Sequence, residues 1–460
     1  MSRLTLALSG DCMATRGALI TSAPAAEELH GLLHSADFAF TNLEVVPATG
    51  RGHPVHNAAS GGGLIADAGV VDEITRAGFT VLGCANNHAL DLGTEGVLGT
   101  TDLLTAKGIP HAGIGADLTA ARRPVYVDRP GGSLAVISCS STFLPGQEAA
   151  APSPDLPGRP GLNPLRYTAT LHVTPAQLDV LREIDGDTGL RARRAEARTL
   201  LGFDPAMPGP DRLTLFGTRF QAADTPGFTT ACDPKDLDDI ARWVAEARRR
   251  ADLVLVSVHS HEPGPTPDTP GEFLREFAHR MIDEGADVVV GHGPHLLRGL
   301  ELHHGKPIFY SLGNIVSQIE LADHIPAEDY AKVTAPGAPH PTPGHYFATL
   351  SANGRRLFAP HRRYWQSLLP VLTFDAGTLT TIDLHPIDLG HGHPVHHRGR
   401  PRLADAPLTK EILTDFAALS EGYGTRIEVG GTGVVELPTS CPKPLHTTDV
   451  AGNPAARVAG

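Results

Sequence analysis

Five apolar runs in this chain carry residues that can bind a metal or move a proton. They are LALSGD with Asp11, FAFTNLE with Glu44, FTVLGCANNH with Asn87 and His88, LVLVSVHSHE with His259 and His261, and VVVGHGPH with His292 and His295. Carboxylates, an amide oxygen and imidazoles are hard or borderline ligands suited to Mn, Fe, Zn, Mg or Ca. Taken singly, each has an ordinary explanation, since an Asp before a turn is commonly a helix cap. Five in one repeated context point to a site, because ligands gather beyond the carboxyl ends of strands in layered α/β folds. His259 and His261 lie two apart and share a face of an extended strand. Glu44 can bind one metal or bridge two. Asn87 can supply a carbonyl oxygen, which leaves His88 as an acid/base. Gly291 and Gly293 permit a tight turn, and Pro294 sets the approach of His295.

These residues need strands to hold them, and the patterning supplies strands. LTLALSGD, FAFTNLE, FTVLGCANN, PVYVD and SLAVISCSS read as strands, alternating with helices over AEELHGLLHSA, VVDEITRAGF and GTTDLLTAKG. That alternation predicts a layered α/β core. It breaks over residues 143–230, where a Pro/Gly-rich stretch precedes one or two basic helices capped by Thr174 before Pro175 and bearing Arg191, Arg193, Arg194 and Arg198. The segment reads as an insertion over the active site, between core parts at 1–142 and 231–400. The core resumes with the helix DPKDLDDIARWVAEARRRA, the strand DLVLVSVHSHE, the helix FLREFAHRMIDEGA and strands through KPIFYSLGN. Beyond Ser317 a Pro- and His-rich loop is expected up to Gly344. HYFATLSANG and LLPVLTFDAGTLTTIDLHPIDLG read as strands added to the second half of the core, and 401–460 as a partly mobile C-terminal extension.

Composition narrows the function classes. A formal charge of −13 over 460 residues argues against broad nucleic-acid binding. The cysteines (Cys12, Cys84, Cys139, Cys232, Cys441) are odd in number and form no CxxC, which fits a reducing, cytoplasmic setting. No run is long and apolar enough to span a bilayer, so no membrane partner is expected. The histidines of HGHPVHH, from His391 to His397, read as an exposed loop.

The set GD, NLE, ANNHALDLGTEG, VH, GADVVVGHGPHLLRGLE and KPIFYSLGN resembles the CapA family, named for capsule and poly-γ-glutamate proteins and related to calcineurin-like metallophosphatases. The resemblance runs from Leu4 to Ser317 outside the insertion, with a weaker tail to Leu389. It implies an α/β, four-layer α/β/β/α sandwich of the metallophosphatase type with a divalent metal ion at the strand ends. By motif it makes Asp11, Glu44, Asn87, His259, His292 and His295 the ligand positions, with His88 beside the metal as acid/base. The chain departs from the pattern at Met13, where the metallophosphatase Asp-x-His has its histidine, and at Gly293, where CapA-like chains commonly carry a second His. The first departure removes a ligand from the phosphatase-type dinuclear site.

Two reactions follow from such a centre. Activated water gives amide, γ-glutamyl or phosphoester hydrolysis. Removal of a proton α to a polarised carbonyl, with return from the other face, gives epimerisation and needs two acid/base groups, for which His88 and His295 are the candidates. No dinucleotide fingerprint and no serine elbow occur, so no organic cofactor is expected. The chain is similar to the peptide-epimerase branch of the CapA-like family. That implies a ribosomal, lasso-type precursor peptide as substrate, inverted at the α-carbon of its C-terminal residue. A non-catalytic peptide-binding protein is the remaining class.

Overall fold

The computed structural model describes residues 3–17, 26–55, 62–202, 209–334 and 341–438. The chain starts with β1 (Arg3–Met13), crosses α1 (Glu27–Ser35) to β2 (Phe38–Leu43), then α2 (Val70–Arg76) to β3 (Val81–Gly83), and leaves by α3 (Gly93–Ala106). These three strands are parallel neighbours. A second sheet follows from β4 (Val125–Arg129), β5 (Gly132–Ser140), β6 (Leu253–His259), β7 (Val288–His292), β8 (Leu297–His303) and β9 (Lys306–Leu312), in the spatial order β8-β9-β7-β6-β5-β4. Its helices are α4 (Pro234–Arg248) and α5 (Glu272–Asp283). The chain then returns to the first sheet with β10 (Asn314–Ser317), β11 (Gln366–Asp375) and β12 (Thr378–Asp388).

Three apolar clusters order the layers. Leu6, Phe38, Phe40, Leu255, Val290 and Phe309 meet between the two sheets. Leu29, Leu33, Val71, Ile74 and Val97 cover the outer face of the first sheet. On the second sheet's outer face lie Ile240, Val244, Phe273, Phe277 and Met281. The result is the expected α/β/β/α sandwich. Helix α5 shows why it docks: Phe273, Leu274, Phe277, Ala278, Met281 and Ile282 recur at helical spacing and are buried. Each large apolar side chain so covered contributes about 1.5–3 kcal/mol.

Three expectations change. The strands β11 and β12 join the first sheet, not the second half of the core: β11 runs antiparallel to β1, pairing Arg3 with Asp375 and Ala7 with Val371. β11 is buried on both faces, so alternation carries no information about which sheet receives it, and β12 follows as the other arm of its antiparallel hairpin. HYFATLSANG is not a strand; Pro343–Leu350 is a helix, α6, capped by Thr342, whose hydroxyl accepts the His345 N–H. The Thr-Pro pair that begins it is the same N-cap and N1 signal as Thr174-Pro175, whose capping box forms as expected. The C-terminal extension is also part of the core up to residue 438. Helix α7 (Ala406–Glu421) places Ile412, Leu413 and Phe416 between the sheets, and Gly433–Val435 pairs with β12. The expected mobile tail, 439–460, lies outside the described residues.

Within 143–230, four short strands and two helices, Pro175–Asp187 and Leu190–Leu201, form a small unit around Leu178, Leu213 and Leu215. It rests on α5, where Tyr167 stacks on Phe273 at 4.4 Å between ring centroids.

One glycine controls how closely β1 and β10 approach. A Cβ on Gly10 would lie 1.9 Å from the Gly313 carbonyl oxygen, a main-chain atom that cannot rotate away. Gly10→Ala should therefore force the strands apart and cost about 1–3 kcal/mol or more. The shift would be read as a lower urea midpoint at unchanged slope, and an unchanged midpoint would show that the strands yield freely.

Candidate metal centre

The parallel strands end together, and their ends hold the ligand-type residues. Register places Asp11 beside Asn42 on one side and Asn314 on the other. His259, the last residue of β6, is in register with His292, the last of β7. Glu44 follows β2, the Asn86–His88 turn follows β3, and His295 follows β7 in left-handed backbone with φ of 61°.

Two groups of three emerge. Asp11, His259 and His292 form one, and Glu44, His261 and His295 the other; within each, the potential ligand atoms lie within 4.8 Å of one another. His259 sits between them. Its Nδ1 is 3.1 Å from His292 Nδ1 and 3.5 Å from Asp11 Oδ1, and its Nε2 is 3.1 Å from His261 Nε2 and 3.6 Å from Glu44 Oε1. Asp11 is buried and accepts the Asn42 side-chain N–H at 2.8 Å and the Gly293 main-chain N–H at 2.7 Å. Burial opposes its ionisation, but contacts with His259 and His292 outweigh that and hold the carboxyl well below its ordinary range. Glu44 is the reverse case: burial first, then the Asp11 charge, push it well above the ordinary range. Neither of its carboxylate oxygens has a hydrogen-bond partner. Burial lowers His259 to about 4 and also lowers His261 and His295, so these rings are neutral near pH 7 with lone pairs available. Paired imidazole nitrogens facing one another, beside a buried carboxylate with no donor, are the surroundings a cation would complete. The residues present therefore fit a divalent metal ion.

The two departures from the family pattern have visible causes. Met13 is buried in the apolar cluster under the outer helices. Gly293 has φ of 118°, and a Cβ there would meet the Ser260 nitrogen at 2.9 Å. With neither position supplying a ligand, His261 completes the second group of three.

The Asn86-Asn87-His88 turn divides its labour. Asn86 donates its side-chain N–H to Leu43 O at 2.8 Å and accepts the His88 main-chain N–H at 3.1 Å, so it ties the turn to the end of β2. Asn87 is buried between its two neighbours in the turn. His88 Nδ1 lies 2.6 Å from Asp91 Oδ2, and Asp91 is fully buried and also accepts the Leu64 N–H. A carboxylate can only accept, so this pairing makes Nδ1 the protonated nitrogen and leaves the lone pair on Nε2. His88 lines a pocket of about 250 Å³ whose walls include Leu64, Tyr346, Phe347, Phe358 and Trp365. The Phe358 ring also packs edge-on against His295 at 5.1 Å. The pocket's walls beyond residue 316 belong to 317–365, and none of the described residues of 143–230 lines it.

Sequence reasoning passed over the partners of these groups. Asp91 was inside the quoted motif, three residues after His88. Asn42 and Asn314 were in NLE and LGN; Asn314 Oδ1 accepts from His295 Nδ1 at 2.9 Å. Ser257, 2.8 Å from His292 Nε2, turns that ring's Nδ1 toward Asp11. The i, i+3 spacing of His88 and Asp91 was a usable signal. The serine in a buried strand gave none.

The profile of the family described as bacterial capsule synthesis protein PGA_cap matches residues 5–319. A Sinorhizobium fredii protein, y4uA, carrying no functional description, is 32% identical over 440 residues, which cover 92% of this chain and 91% of that one. The PGA biosynthesis protein CapA of Bacillus subtilis is 26% identical over 238 residues, covering 52% of this chain and 42% of its own. Among solved structures, a Staphylococcus aureus protein described as a 5'-nucleotidase, in complex with α-ketoglutarate, is 12% identical with a TM-score of 0.37, covering 92% of this chain and 58% of that one. No helix of the described residues is long and apolar enough to cross a membrane.

Proposed function

The chain belongs to the PGA_cap family of bacterial capsule synthesis proteins, and from that premise we propose that it is a metal-dependent peptide epimerase. It acts on the α-carbon of the C-terminal residue of a ribosomal, lasso-type precursor peptide. The observation that carries this reading is His88, backed by the buried Asp91, standing on the wall of an apolar pocket whose Phe358 packs against His295 of the second ligand group.

Asp11, Glu44, His259, His261, His292 and His295, with Asn87, would hold the metal. A divalent ion there supplies Lewis-acid polarisation of a carboxylate or carbonyl, which acidifies the neighbouring C–H bond. The protein's own groups do the rest. Tyr346, Phe347, Phe358 and Trp365 offer a water-poor seat for a large apolar side chain. His88 Nε2 takes or returns the α-proton while Asp91 keeps the ring's other nitrogen protonated. His295, where the metal leaves it free, is the candidate for the opposite face; its Nδ1 lies 2.9 Å from Asn314 Oδ1. A second reading, hydrolysis of an amide or γ-glutamyl bond, is favoured by one feature: two adjacent ligand groups are the arrangement that activates water.

Incubation of the metal-loaded protein with precursor peptide in heavy water separates them. Epimerisation should add one deuterium at the C-terminal α-carbon and leave every peptide bond intact. Fragments without exchange would replace the epimerase reading by hydrolysis. Neither product with a range of precursor peptides would leave peptide binding without catalysis.

A further inference from the structure

Arg298 is 1% exposed, and among the described residues its side chain donates to three main-chain carbonyls. A guanidinium carries five donors in a rigid fork and is costly to bury unless they are used. Here Nε donates to Pro267 O at 3.1 Å, Nη1 to Glu262 O at 3.2 Å and Nη2 to His261 O at 3.5 Å. All three acceptors belong to one loop, HEPGPTPDTPG, from His261 to Gly271. Four of its residues are prolines, at 263, 265, 267 and 270, and have no N–H to donate. Such a loop cannot satisfy its own carbonyls by a regular pattern, so an outside donor decides where it lies.

The other side of the loop is held by Glu262. Its carboxylate accepts from Ser141 Oγ at 2.6 Å, Ser260 Oγ at 2.9 Å and Thr142 Oγ1 at 3.0 and 3.1 Å. Thr142 Oγ1 in turn accepts the His261 N–H at 2.9 Å. Both main-chain polar groups of His261 are thus tied, its N–H through Thr142 to Glu262 and its C=O to Arg298. Arg298 stands three residues after His295 on β8, so it also couples the loop bearing His295 to the loop bearing His261.

We propose that Arg298 and Glu262 are positioning residues that set the Glu44, His261, His295 ligand group by clamping the His261 backbone from both sides. This rests on the metal reading of that group. Neither residue reaches the ligand cluster itself, and each acts through His261.

The test is calorimetric titration of the full-length, metal-stripped chain with Mn²⁺, comparing wild type with Arg298→Gln, Arg298→Lys, Glu262→Gln and His261→Ala. Wild type should take up two equivalents. Arg298→Gln and Glu262→Gln should weaken one of them by about 10–100-fold, the usual cost of losing an outer-shell partner, and so resemble His261→Ala. The equivalent assigned to Asp11, His259 and His292 should keep its wild-type affinity. Arg298→Lys retains the charge but not the fork and should fall between. If Arg298→Gln does not fold, Glu262→Gln and Arg298→Lys decide the matter. Folded variants that bind both equivalents as wild type does overturn the clamp alone. A wild type that binds one equivalent or none overturns the two-group metal reading beneath it.

Discussion

His88→Ala should leave the protein folded and its metal content unchanged while slowing deuterium uptake at the substrate α-carbon by roughly 10²–10⁴-fold, the usual contribution of a positioned acid/base. The separation of effects follows from geometry. His88 is in neither ligand group. Its ring contacts Asp91 and lines the pocket, so truncation removes the proposed proton carrier and leaves the cluster of Asp11, Glu44 and the four histidines of the two groups in place. Asp91→Asn is the informative companion. An amide can offer Nδ1 either a donor or an acceptor, so the tautomer with a free Nε2 loses its preference, and exchange should fall by less than in His88→Ala. Wild-type exchange in a folded His88→Ala protein would move the base elsewhere, with His295 next to be tested.

The second large effect is expected at Asp11. Asp11→Asn should reduce metal affinity by more than the roughly 10–100-fold that outer-shell changes cost, and all exchange should disappear with the metal. Asp11 lies where β1, β2 and β10 converge, and its two oxygens accept from Asn42 and Gly293. An asparagine there loses the negative charge and turns an N–H₂ toward one of those donors. The buried site then has an unpaired donor as well as a missing ligand. Metal analysis of the purified, dialysed variant checks the first effect, and heavy-water exchange checks the second. Cys84→Ala, at a buried position outside both ligand groups, is the control and should keep its metal. Retention of full metal content by Asp11→Asn would place the ion away from this cluster.

The parts of the site that could be read early were those that chemistry marks locally. Asp11, Glu44, His88, His259 and His292 each follow an apolar run, and a polar ligand-type residue at such a point is conspicuous against a buried strand. What could not be read was how the ends meet. Asn42 and Asn314 flank Asp11 only because β2 and β10 take opposite sides of β1. Ser257 looks like any small residue in a strand, and its bond to His292 exists only through the register of β6 against β7. The same holds for the fold. Helices α4 and α5 were legible because their buried residues repeat at helical spacing, whereas the sheet chosen by β11 and β12 was not, because β11, buried on both faces, carries no facing preference and β12 only follows it as a hairpin. Most walls of the pocket beside His88 come from 317–365, a stretch whose Pro and His content pointed to loop up to Gly344 and whose helix α6 stands where a strand was expected.

The amino-acid sequence by itself therefore determined the inventory of ligand-type residues, the α/β alternation and the family, because these depend on residue type and on spacing within single elements. Only the tertiary structure decided that the ligand-type residues divide into two groups joined by His259 and that Arg298 holds the loop of His261. Those are contacts between residues up to a few hundred positions apart. They are set by strand order and register, which hydrophobic pattern leaves open when a strand is buried on both sides.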